Sequence, residues 1–191
     1  MADSNRACSY AEPLASLVVL DEAGVLDGGN SREPLRAQLD ALSPEDFFPG
    51  GTLVDHDSAS CCLSAIWLLH HFLDESHRIS QEIKSSSGSY WHAIMHRREG
   101  DYSNAKYWFR RVAGHPVYEL LAHSAGQLAG QDRSSGSLPL AAGQWEPFMF
   151  VDMCEDVVAD GGGDRRLCQS LARLEWQLLF DYCYRAATGP A

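Results

Sequence analysis

Apolar residues recur at a 4-3-4 spacing in two distant stretches, Cys62, Ile66, Leu69, Leu73 and Leu167, Leu171, Leu174, Leu178. A helix of 3.6 residues per turn gathers such positions on one face, whereas a strand scatters them over both. A third set, Ala105, Trp108, Phe109 and Val112, follows the same period at i, i+3, i+4 and i+7. No stretch alternates apolar and polar residues as a half-buried strand does. The expected fold class is all-α, a single-domain helical bundle of about six to eight helices over residues 11–187. Residues 1–10 are expected to be frayed, and the Ser/Gly-rich stretch 131–143 to form a surface loop.

Punctuation residues set the expected boundaries. Short helices are expected over Pro13–Ala23 and Glu33–Leu42, and a long one from Ser58 to about Lys84. Ser85–Gly88 breaks the chain before a helix that carries Trp91, Ile94 and Met95 inward and ends near Glu99. Asp101 or Ser103 can cap the next helix, and Gly114 stops it. Pro116 and Pro147 sit at first-turn positions of further helices. Gly161-Gly162-Gly163 ends one helix, and Asp164 caps the last.

The 191 residues carry 26 acids and 15 Lys or Arg, a formal net charge of −11. That balance disfavours nucleic acid and anionic membranes as partners. The charge is uneven: net −9 over residues 1–84, +2 over 85–133 and −4 over 134–191. A 45% hydrophobic fraction suffices for a core. No apolar run reaches the roughly 18 residues a membrane span needs, and the start MADSNRACSYAEP lacks a signal-peptide core. The cysteines (Cys8, Cys61, Cys62, Cys154, Cys168, Cys183) form no C-x-x-C pair and read as small core residues in a reducing cytoplasm.

Gly100-Asp101-Tyr102-Ser103-Asn104-Ala105 through Phe109-Arg110-Arg111 resembles the second-helix half of a tetratricopeptide or Sel1-like repeat. There a G-D-Y-like turn precedes a small Ala, with an aromatic four residues later; Ala105 and Phe109 keep that spacing. The longer run Tyr90-Trp91-His92-Ala93-Ile94-Met95-His96 through Arg111 resembles a family of uncharacterised all-helical proteins, as do Phe72–His77 and Glu175–Cys183. This second resemblance spans roughly Asp57–Tyr184 and implies kinship without chemistry.

Two constellations carry functional expectations. His70, Asp74 and His77 lie at i, i+4 and i+7, and so do His92, His96 and Glu99. Each trio spans about 40° of helical arc. On antiparallel helices joined at Ser85–Gly88 the trios would face each other. These are the ligand types that hold a divalent metal in helical bundles.

The second constellation is the basic island of Arg97, Arg98, Lys106, Arg110 and Arg111, interleaved with Tyr90, Trp91, Tyr107 and Trp108. It suits a small anionic ligand or an acidic protein partner. The competing expectation is internal pairing, with Glu175 or Asp181 reaching the arginines from across the bundle. Nucleophilic catalysis has little support, since no serine stands in G-x-S-x-G. Cys61 and Cys62, at a helix start, are expected to be buried. The sequence thus favours a soluble helical binding or interaction protein, with a metal-dependent enzyme as the alternative. It leaves open whether the chain is an enzyme at all.

Overall fold

The computed structural model describes residues 10–51, 53–132, 137–160 and 163–189. Two short helices, α1 (Leu14–Leu17) and α2 (Arg36–Asp40), come first. They are followed by α3 (His56–Leu69), α4 (Leu73–Ser80), α5 (Ser86–Glu99), α6 (Tyr102–Val112), α7 (Val117–Asp132), α8 (Pro147–Asp160) and α9 (Arg165–Thr188). Among the described residues seven helices have eight residues or more, and they pack as one all-α body. None is long and apolar enough to cross a membrane. The fraying expected at residues 1–10 falls almost wholly outside the described residues; Tyr10 is described, and its hydroxyl donates to Asp181 at 2.5 Å.

The expected helix over Ser58–Lys84 is in fact two. The Phe72 N–H bonds the Trp67 carbonyl at 3.0 Å, and the His71 N–H bonds that of Leu68 at 3.1 Å. With His71 at φ +65° this is a Schellman stop, in which histidine occupies the left-handed position usually given to glycine. Apolar spacing runs through such a stop, so the period alone hides it. The His71 ring holds the position. It bonds Glu22 at 2.7 Å and Arg98 at 2.6 Å, and Gly29 packs so close that a Cβ there would overlap the ring. Since Arg98 can only donate, His71 Nδ1 accepts and Nε2 carries the proton given to Glu22.

Other boundaries shift for similar reasons. The Pro13–Ala23 stretch divides into α1 and a 3-10 turn at Leu20–Gly24, and α2 is preceded by a 3-10 turn at Glu33–Leu35. The 131–143 stretch contains the end of α7 and half of a small hairpin, Leu140–Ala141 (β1) pairing with Gln144–Trp145 (β2). Ala142 and Gly143 both have positive φ, as a two-residue hairpin turn requires. Residues 133–136 of that expected loop lie outside the described residues. In α9 the expected stripe is rotated: Leu174 and Leu178 are half-buried, while Glu175, Trp176, Leu179 and Phe180 are buried.

The central helix is α5, buried at every position from Ser87 to Arg98. A helix buried all round is normally apolar; this one carries His92, His96, Arg97 and Arg98 inside. Arg97 pairs with Glu175 of α9, which is wholly buried and also accepts from the Tyr90 hydroxyl at 3.0 Å. The Arg97 guanidinium lies 4.4 Å from the centre of the Phe150 ring. Arg98 donates to the carbonyls of Leu68 at 2.6 Å and Asp27 at 3.1 Å. It thereby places positive charge at the carbonyl end of α3, where the helix dipole favours it.

At its own end α5 turns sharply through Gly100, whose φ of +87° suits glycine. Asp101 then caps α6 by accepting the Asn104 N–H at 3.0 Å. In the resulting α5–α6 hairpin Ala105 and Phe109 are buried, and the Phe109 ring meets Tyr90 of α5 edge-on at 5.3 Å. Glu175→Ala is expected to destabilise the protein by about 3–5 kcal/mol by leaving Arg97 buried without its partner. Replacing both residues with apolar ones of similar volume should recover most of that loss in urea unfolding.

Candidate metal centre

Three imidazoles meet where α4, α5 and α6 converge. His92 and His96 stand one turn apart on α5, their Nε2 atoms separated by 2.8 Å. His77 comes from α4, its ring edge-on at 4.7 Å from the centre of His92 and 5.2 Å from that of His96. One ring nitrogen of each lies within 4.8 Å of the others. His92 and His96 are buried, and His77 is half-buried. Trp108 of α6 stacks on His92 at 4.0 Å, nearly parallel, and walls the cluster on that side.

Metal ligation needs imidazole in its neutral form. Burial, then the neighbouring rings of His96 and His77, push His92 down to about 3, so the ring is neutral at pH 7, and the proton it shares across the 2.8 Å contact with His96 is the one an ion would displace. A tetrahedral ion with metal–nitrogen distances of about 2.0–2.1 Å sets its nitrogens about 3.4 Å apart. The two Nε2 atoms would part by roughly half an ångström to admit one, a small rotamer adjustment.

The rim is polar. Glu99 Oε1 lies 2.5 Å from His96 Nδ1, one turn further along α5. The Asn104 amide nitrogen lies 3.1 Å from His96 Nε2 and 3.4 Å from Nδ1. Asp101 comes near His96 and Glu99 as well, but its Oδ1 already accepts from Asn104 N at 3.0 Å and Ser103 Oγ at 2.9 Å.

The six-residue ligand set expected from sequence is therefore only partly assembled. His70 points away, its Nε2 at 3.0 Å from the Leu17 carbonyl, because the break at His71 swings α4 out of line with α3. Asp74 is exposed in the first turn of α4 and belongs to neither ligand group. Glu99 is present, but on His96 Nδ1 rather than beside the three nitrogens.

The expected anion-binding groove does not form as drawn. Arg97 and Arg98 are spent inside the bundle on Glu175, His71 and backbone carbonyls. Tyr90 and Trp91 are fully buried. Lys106 pairs with Asp152 and staples α6 to α8. Arg110 lies over Phe148 and Arg111 over Trp108, the latter at 5.1 Å. Tyr107 is 49% exposed, so what remains of the island is the outer face of α6. The sequence pointed to Glu175 as a partner for these arginines; Asn104 it missed. Asn104 stands four residues before Trp108, one helical turn, and that spacing was the available signal.

Other polar clusters offer less. Cys61 and Cys62 are fully buried, and a hydrogen bond to Cys183, with burial, pushes the Cys61 thiol up. His115 Nδ1 accepts the Val117 N–H at 3.3 Å, so its proton sits on Nε2 and is given to Ser87, 3.1 Å away. His115 is thus a donor to Ser87 and not its base. A shallow cleft of about 280 Å³, lined in part by Leu39, Leu42, Trp67 and Ile79, contains none of the three histidines. No protein-family model, curated protein or solved structure matches the chain.

Burial holds His115 near 4, against an ordinary value of 6.5. Between those values the unfolded chain takes up a proton that the native ring refuses. Stability is therefore undiminished above pH 6.5 and falls as the pH drops towards 4, by on the order of 3 kcal/mol. His92 adds a loss of the same sign. Urea unfolding across this range reads the loss, and His115→Gln should flatten part of the slope.

Proposed function

We propose that this protein binds one divalent transition metal through His77, His92 and His96 and works through that ion. The observation that carries the reading is the convergence of three ring nitrogens within 4.8 Å, two of them on buried rings. Nitrogen ligands of this kind suit zinc and its neighbours rather than magnesium or calcium, which take oxygen. Three protein ligands leave a coordination position for water or substrate, the pattern of reactive rather than structural sites. The ion would supply a Lewis acid or an activated water there.

An anionic substrate fits best. Support for an anion is the Arg111 guanidinium over the Trp108 ring, one ring removed from His92. This retains from the Arg/aromatic reading only the part carried by α6. The buried cysteines Cys61, Cys62, Cys154, Cys168 and Cys183, none in a disulfide, suit a reducing cytoplasm.

Zinc titration of metal-free protein, with metal content measured after dialysis, tests the reading. One ion per chain is expected in the wild type, with loss in His92→Ala and in His96→Ala. Saturation at a hundred times Kd should add about 2.7 kcal/mol to stability. Content near zero in the wild type, or binding unchanged in both variants, would sink it.

A further inference from the structure

We propose that Glu99 is a positioning residue of this centre rather than a ligand: it fixes the His96 tautomer and so delivers Nε2 to the ion. The inference rests on the metal reading above. Its basis is the 2.5 Å contact between Glu99 Oε1 and His96 Nδ1. A carboxylate only accepts, so Nδ1 carries the proton and Nε2 keeps its lone pair, which accepts from the Asn104 amide at 3.1 Å. Nε2 is the atom that faces His92, 2.8 Å away.

The two ring nitrogens point in different directions. A carboxylate oxygen seated on Nδ1 is therefore held away from an ion at Nε2. A carboxylate behind a ligating histidine orients the ring and raises its basicity. Glu99 can do this from its own helix, being three residues on and at the last position of α5. The Gly100 turn directly after it fixes where that helix ends. Asp101 takes no such part, because the α6 cap already holds its side chain.

The test has two arms on the full chain. In the first, two-bond proton–nitrogen NMR of the metal-free protein reads the His96 tautomer. The wild type should show the proton on Nδ1, and Glu99→Ala should lose that preference while its melting temperature stays near the wild-type value. A wild-type ring protonated on Nε2 alone overturns the proposal. In the second, zinc affinity is measured against a competing chelator. Glu99→Ala should weaken binding about 10–100-fold and Glu99→Gln by less, since its carbonyl still accepts without charge.

Zinc affinity within twofold of wild type in Glu99→Ala overturns the proposal. So does X-ray absorption in which wild-type zinc gains an oxygen ligand that Glu99→Ala loses. A wild type that takes up no zinc while the Nδ1 proton is seen would instead defeat the metal reading, and leave Glu99 as the group that sets this ring.

Discussion

The ion pair between Arg97 and Glu175 sets the rotation of α5, and the rest of the structure follows from it. Both groups are almost completely withdrawn from water, a costly arrangement unless geometry and hydrogen bonds compensate. Tyr90 bonds the same carboxylate, and the Phe150 ring lies under the guanidinium. Tyr90 and Arg97 are seven residues apart, two helical turns, so both point to α9 from one face of α5. With that face committed, His92 and His96 turn toward α4 and α6. Arg98 turns to the end of α3, where it meets His71 and two backbone carbonyls.

Much of the fold was legible in the sequence because a helical core imposes a period. The 4-3-4 spacings located α3 and α9, and the Gly100-Asp101 pair located the α5–α6 turn. The break within the expected Ser58–Lys84 helix was not legible. Its stop residue is a histidine stabilised by Glu22, Arg98 and Gly29, all distant in sequence. The rotated stripe of α9 has the same origin. Glu175 takes a buried position that the apolar pattern assigns to leucine, and it does so because its partners lie 78 and 85 residues away.

The candidate centre divides along the same line. His92 and His96 share one uninterrupted helix, so their spacing predicted their meeting. His77 was expected on the extension of α3 and reaches the cluster from a separate helix instead. The break that brings α4 across also removes His70 from the set. For the arginines both an exposed cationic face and an internal network were expected, because the same side chains give either. Only the position of Glu175 decides between them. Clustering three imidazoles beneath the surface depresses the affinity of His92 for protons.

The first and last segments of the described chain are clasped together. The Tyr10 hydroxyl meets Asp181, Arg173 donates to the Leu20 carbonyl at 3.1 Å, and the Val54 N–H bonds the Ala187 carbonyl at 2.9 Å. During synthesis the N-terminal stretch leaves the ribosome long before α9 exists. Ala23 and Gly24, buried in the 3-10 turn that packs on α9, must then wait uncovered. The order of translation therefore runs against the order of burial, and closure of the bundle is deferred to the final helix. A chain halted before α9 would hold the sequence of the histidine cluster but lack Glu175, the residue that aims it.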